Sequence, residues 1–447
     1  MKKNKNAFTL IELLAVIAIL AIILVISIPK ILDVIETSKI NALKNAVKLI
    51  ADSAEKKYTE NEAFGEENEI TCESVSKLNK EDYNKCTIIF DENGIAKVSI
   101  TGRGKFDGLK VCNATKNDVN IVTGECPVTL PAISTTYIMD LYDNEETRTS
   151  NGLKKDNTPD QNIRYYGSDP NNYVRFNNEL WRIIGVFGNN VKLVRSEKLG
   201  NLSWDSSESS VNNGWGVNEW SQSDLKNYLN TMYYGGTSVT CYNGENNQTT
   251  TCPANKLDET SKSLIDNHTW NIGAIDKTDT TIVNPETFAI NTVSFYKAER
   301  GTTNGKICNG RDACNDTVTR TTEWTGYIGL PYPTDYAYAS SESDCETNMN
   351  AGDIDFDNGI FNMTCKKNNW MHHGTTMEIE DATWFMSPVA DPDFAANVWY
   401  VLGGGLTNDS CAAYPFSAFP TIYLKSNILI ESGKGTSSDP YILKAGS

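Results

Sequence analysis

Only three of the 447 residues are histidine: His268, His372 and His373. That scarcity leaves little room for imidazole-based metal or acid–base chemistry. The sequence has no G-x-x-x-x-G-K-[ST] phosphate loop and no G-x-S-x-G elbow, and Gly403-Gly404-Gly405 lacks the spacing of a dinucleotide fingerprint. Close C-x-x-C pairs, the usual zinc spacing, are absent too. Positive charge is short: 40 basic residues face 57 acidic ones, a net charge of −17. Such a chain repels phosphates, so nucleic acid is not an expected partner. Tryptophan is missing before Trp181, the first of nine, which marks a change of composition part-way along.

What is present begins at the amino terminus. Lys2, Lys3 and Lys5 lead into Phe8 to Ile28, 21 residues with only Thr9, Glu12 and Ser27 polar. As a helix this run is about 30 Å long, enough for a bilayer core, with the lysines on the cytoplasmic side. Ser27-Ile28-Pro29 supplies no A-x-A-like site for a cleaved secretory peptide. Glu12 costs roughly 2 to 3 kcal/mol inside lipid, which argues against a plain anchor.

Ala7-Phe8-Thr9-Leu10-Ile11-Glu12-Leu13-Leu14, behind its basic leader, resembles the prepilin signature of type IV pilins and type II secretion pseudopilins. The resemblance implies cleavage before Phe8 by a prepilin peptidase/methylase, methylation of the new terminus, and a helix kinked at Pro29 that packs in a filament core with other pilin subunits. Ala7 stands where glycine is usual. A buried carboxylate needs a partner, and the free amine of a neighbouring subunit's Phe8 would serve Glu12 and set the axial register. Losing the leader removes three lysines, leaving 37 basic against 57 acidic residues, a balance of −20.

Beyond Pro29, Ile40, Leu43, Val47, Ile50 and Ala54 form one apolar stripe, so the spine helix is expected over 8–58, with 8–28 in membrane or filament core. Residues 59–130 read as a small β-rich unit, with strands at Thr87–Phe90 and Ala96–Ile100 around an Asp91-Glu92-Asn93-Gly94 turn. Cys72, Cys86, Cys112 and Cys126 allow three pairings, of which 72–86 with 112–126 is preferred. Residues 131–161 read as a linker, with a strand or helix at Thr135–Tyr142. From residue 162 the pattern is strand, turn, strand at Tyr173–Phe176, Leu180–Phe187 and Val191–Arg195. A helix follows over Ser221–Tyr234, with Ser221 and Asp224 as its capping box. Further strands are expected near 383–388, 398–402 and 420–424. Local disulfides are expected at Cys241–Cys252, Cys308–Cys314 and Cys345–Cys365, which leaves Cys411 over.

Tyr173-Val174-Arg175-Phe176, Leu180 to Val186, Trp384-Phe385-Met386-Ser387-Pro388 and Pro420 to Ser426 resemble an exported bacterial domain of the C-type-lectin and sulfatase-modifying-factor group. The resemblance spans roughly 162 to 445 and rests on strands and aromatics. It implies a fold and carries no catalytic cysteine pair.

Asp353, Asp355 and Asp357 alternate before Gly359, a pattern of hard oxygen ligands that could wrap Ca²⁺; the bland alternative is an acidic surface turn. His372-His373 reads as a solvated loop. Trp204, Trp215, Trp220, Trp324, Tyr327, Tyr332, Tyr336 and Tyr338 are either core or a binding face. The fold class that emerges is α+β: a long amino-terminal pilin helix, a small β-rich pilin-like unit and a large mostly-β lectin-like head at 162–447, behind a leader at 1–7. The expected role is a minor or tip subunit of a type IV pilus or pseudopilus, anchored in the cytoplasmic membrane, with an extracellular head that binds a glycan or protein. The alternatives are a membrane-anchored adhesin that stays outside filaments and a type II secretion-like pseudopilus component. No enzymatic activity and no cofactor, calcium apart, is expected.

Overall fold

The computed structural model describes residues 10–64, 70–75, 79–91, 94–122, 130–300, 318, 320–355, 358, 360–372, 382–391, 393 and 395–446. The chain divides into two compact units, Met1–Thr129 and Leu130–Ser447.

The first unit is built on α1, Leu10–Phe64. This stretch contains no glycine and a single proline, Pro29, so little interrupts it. It runs past the expected end at Tyr58, and the first glycine of the sequence, Gly65, follows it. The predicted stripe is the buried face: Leu43, Val47, Ile50, Ala51 and Ala54 are at most 2 % exposed. They pack on a sheet of four antiparallel strands, β1 (Tyr83–Phe90), β2 (Ala96–Gly102), β3 (Lys110–Ala114) and β4 (Ile121–Val122). In β2, Ala96, Val98, Ile100 and Gly102 alternate inward, as a half-buried strand requires. Two contacts fasten the helix to the sheet: Glu55 accepts from the Ala96 N–H at 3.3 Å, and Tyr58 stacks on Phe90 at 4.6 Å. The Cys72–Cys86 disulfide ties the following turn to β1.

The second unit begins earlier than the sequence suggested. Residues 131–161 are no linker: they supply β5 (Ala132–Ile133), a helix at Ser134–Asp143, a second at Glu145–Asn151 and β6 (Leu153–Lys155). Tyr137, Ile138 and Leu141 are buried along the first helix, an i, i+1, i+4 face whose polar neighbours hid it. Among the described residues the larger sheet has ten strands. Its centre is β7 (Ile163–Tyr165), β8 (Tyr173–Phe176), β9 (Glu179–Phe187) and β10 (Asn190–Arg195). The β8–β9 hairpin turns on Asn177 and Asn178, both left-handed at φ 54° and 57°, which asparagine tolerates. Strand Tyr441–Ala445 runs parallel to β8 and antiparallel to Ile428–Ser432, which pairs in turn with β5. A second sheet, of six strands among the described residues, is centred on Thr383–Ala390, with Asn397–Val401 and Thr407–Cys411 on one side and Ile275–Asp276 parallel to it.

The helix expected over Ser221–Tyr234 is broken. It comprises a 3₁₀ turn at Trp220–Gln222, an α turn at Asp224–Asn227 and a π-helical stretch at Tyr228–Tyr234. Its cap is Ser223, which accepts from the Lys226 N–H at 3.2 Å, while Ser221 donates to Glu219. Leu225, Tyr228, Leu229 and Tyr233 are buried.

Candidate functional site

Ala7 and Phe8 lie outside the described residues. Glu12 and Pro29 fall on the helical backbone of α1, and their side chains are outside the description. Where side chains are described in this half, the helix is apolar and uncovered: Leu14, Ile17, Ile19, Ile31 and Val34 are each more than half exposed. Among the described residues no helix is long and apolar enough to cross a membrane. Most of the side chains of Phe8–Ile28 lie outside that set.

The second unit holds a buried ionic cluster. Arg164, from β7, donates to Asp156 at 2.9 Å and to Asp335 at 2.5 Å; Lys192, from β10, donates to the other Asp335 oxygen at 2.5 Å. All four side chains are at most 1 % exposed. Asp335 also accepts from the Tyr332 N–H at 3.0 Å, capping the helix Pro333–Ala339. Burial alone would raise the Asp335 carboxyl, but Lys192 and Arg164 hold it below its ordinary value. Burial pushes Lys192 down to about 8 against the pull of Asp335. Beside them Glu299, raised by burial to about 7, accepts from the Thr334 hydroxyl at 2.8 Å. Phe187 and Tyr332 cover Arg164 and Lys192 at 4.4 and 4.2 Å. Most of the hydrogen bonds of these groups join one another away from solvent, which locks the elements together, while Arg164 Nη2 has no partner among the described residues. The sequence concealed this cluster, because a lysine between Val191 and Leu193 reads as the polar face of a strand.

A cavity of about 490 Å³ opens where the second sheet meets the loop after Ile275–Asp276. Trp399, Ile290 and Leu406 line it with Val283, Pro285 and Phe288, and Lys277 and Asp409 join the lining. Sequence reasoning singled out none of these residues for the purpose, since strands and a loop far apart in the chain bring them together.

The residues that were singled out are scattered. Asp353 and Asp355 lie on a β-strand, Gly352–Asp355, hairpinned to Ile360–Met363. Asp357 and the side chain of Asp355 are outside the described residues. Among the described residues no group of three or more His, Cys, Asp or Glu could hold a metal ion. His372 is not in a solvated loop: it is 6 % exposed and hydrogen-bonded to the Tyr336 hydroxyl at 3.0 Å, and His373 is not described. Trp204, Trp220, Tyr332, Tyr336 and Tyr338 are core, whereas Trp215, Trp324 and Tyr327 are half-buried. Disulfides join Cys241–Cys252 and Cys345–Cys365 as well as Cys72–Cys86. Cys112 is disulfide-bonded, while Cys126, Cys308 and Cys314 are outside the described residues. Cys411 is free and half-buried, and burial raises its thiol pKa, which lowers its reactivity.

Neither a curated protein nor a solved structure matches the chain. Residues 2–28 match the family model described as a prokaryotic N-terminal methylation motif. The matched stretch takes in the basic leader, the Ala7–Phe8 junction and Glu12, and it supports a prepilin-type amino terminus.

Proposed function

We propose that the chain is a prepilin cut before Phe8 and assembled as a minor or tip subunit of a type IV pilus or pseudopilus, its second unit acting outside the cell as an adhesive or binding head. The observation that carries this reading is the continuity of α1 through the methylation motif into the small unit. Its first half exposes Leu14, Ile17 and Ile19, while its second half is that unit's core. Apolar surface that a chain leaves uncovered needs lipid or other subunits, and a filament core supplies the latter. A processing peptidase, the cytoplasmic membrane and other pilins are the partners that follow. No catalytic role is part of the proposal. A head as large as Leu130–Ser447 suits a tip or minor position better than a repeating shaft.

Mass spectrometry of the amino-terminal peptide, on membrane and sheared-surface fractions separately, tests it. Methylated Phe8 is expected in the sheared fraction. The same peptide confined to membranes would point to a short pseudopilus or an unassembled pool. An intact leader in both fractions would overturn processing and leave a membrane-anchored adhesin.

A further inference from the structure

Lys192 is a buried ammonium short of acceptors. An ammonium carries three N–H donors. Lys192 gives one to the Asp335 carboxylate at 2.5 Å and meets no other acceptor among the described residues. Its side chain is 0 % exposed, so bulk water supplies none. The rings of Tyr332, Phe187, Tyr423 and Trp270 stand 4.2, 5.4, 5.4 and 5.7 Å from Nζ. Their faces attract a cation, but they leave the other N–H groups without a lone pair, which is costly in a dry site. An amide nitrogen in the same place would carry a single N–H and no charge.

The carboxyl partner is equally confined. Asp335 is 1 % exposed, and its second oxygen accepts from Arg164 Nη1 at 2.5 Å. With 2.5 Å between Nζ and the first oxygen, no water fits between amine and carboxyl. Groups held in this way react as if at about 10⁵ M or more, and a site without solvent does not reverse their condensation. Arg164 sets a positive charge beside the oxygen on which negative charge develops during attack. Burial lowers Lys192 to about 8, which brings its neutral, nucleophilic form within reach near neutral pH. The step balances within the pair. The Nζ–Cγ bond forms, a Cγ–O bond breaks, and two protons of the ammonium leave with that oxygen as water. Nothing is oxidised or reduced, and no further reactant is required. Arg164 keeps Asp156, so no charge is stranded when the carboxylate is consumed.

We propose that Lys192 and Asp335 condense to an intramolecular amide, a covalent brace between β10 and the helix Pro333–Ala339. The ion pair is the state before the bond forms, and its titrations belong to that state. The joined residues lie 143 positions apart, whereas the disulfides of the same unit at Cys241–Cys252 and Cys345–Cys365 span 11 and 20. Closing the longer loop restricts the unfolded chain more, and an amide survives reduction. The inference does not depend on the reading of the amino terminus.

The test is the intact mass of the full chain, purified, then reduced and denatured, with its amino terminus read from the terminal peptide. The mass is expected to fall one water short of that required by the sequence. Digestion is expected to yield a branched peptide whose fragments join Lys192 to Asp335. Lys192→Met, which keeps the bulk of the side chain and removes the nucleophile, is expected to restore the full mass. If that variant does not fold, the branched peptide of the unaltered chain decides the matter alone. A full mass that persists on prolonged incubation near neutral pH would overturn the proposal. So would tryptic cleavage after Lys192 in all of the protein, or a water loss traced to an unbranched peptide.

Discussion

Asp335 takes two cations and a helix cap on one carboxylate. Its removal would strand Lys192 as a buried charge, leave Arg164 to Asp156 alone and uncap Pro333–Ala339 at the same time. Breaking one partner of a buried ionic group typically costs about 3 to 5 kcal/mol. Asp335→Ala is therefore expected to lower the stability of the second unit by that amount, read from the midpoint of urea unfolding. A loss below about 1 kcal/mol would mean that the cluster is better solvated than its burial indicates. His372 makes the same point about single residues. It follows the buried Trp370 and Met371, and its ring meets the Tyr336 hydroxyl, a partner 36 residues away that no local pattern announces.

At the scale of elements, local pattern and turn chemistry carried the reading where the chain is regular. The stripe of Leu43, Val47, Ile50 and Ala54 is the buried face of α1, and the Asn177-Asn178 turn joins the strands it was expected to join. Patterns failed where tertiary contacts outweigh local preference. Ser134–Asp143 is mostly polar and β-branched at its start, yet it is a helix because Tyr137, Ile138 and Leu141 are buried on one side. The break into α and π turns between Asp224 and Tyr234 leaves no signature in a run of residues that fits a plain helix equally well. The cavity was illegible for a different reason: Lys277, Phe288, Trp399 and Asp409 come from separate stretches and share no motif. For α1 itself the pilin reading makes a sharp prediction. Glu12→Ala is expected to abolish assembly while leaving cleavage before Phe8 intact, measured as loss of the protein from the sheared fraction with the processed form retained in membranes. Normal filaments from that variant would remove Glu12 from the register.

For the molecule as a whole, buried titrating groups set a pH dependence. Burial raises Asp205 to about 7, with Asp224 and Glu219 adding to it, and raises Glu299 to about 7. In the unfolded chain both carboxyls ionise near pH 4. Between those values the native state binds more protons, so their contribution is greatest below about pH 4 and is lost as pH rises through 7. Asp335 and Asp156 act oppositely, since their carboxyls are held low in the fold and stabilise above the ordinary carboxylate range. Lys192, lowered to about 8, makes stability rise with pH between there and about 10.5, a gain kept at higher pH. The melting temperature is thus expected to fall between about pH 5 and pH 8, checked by circular dichroism at constant ionic strength. Asp205→Asn should flatten the slope, and a melting temperature that rose across this window would contradict the assignment.

The place of Tyr441–Ala445 carries a consequence for biogenesis. This strand lies between β8 and Ile428–Ser432, and the latter pairs with β5, the first strand of the unit. A chain made amino terminus first exposes β5 and the open edge of β8 long before their partners arrive. The large sheet therefore closes last at its middle, and until then a hydrophobic edge is open to pairing with other chains. Shielding of that edge for the interval, by slow release of the growing chain or by a holdase that prefers extended apolar strands, is expected to raise the yield of folded protein.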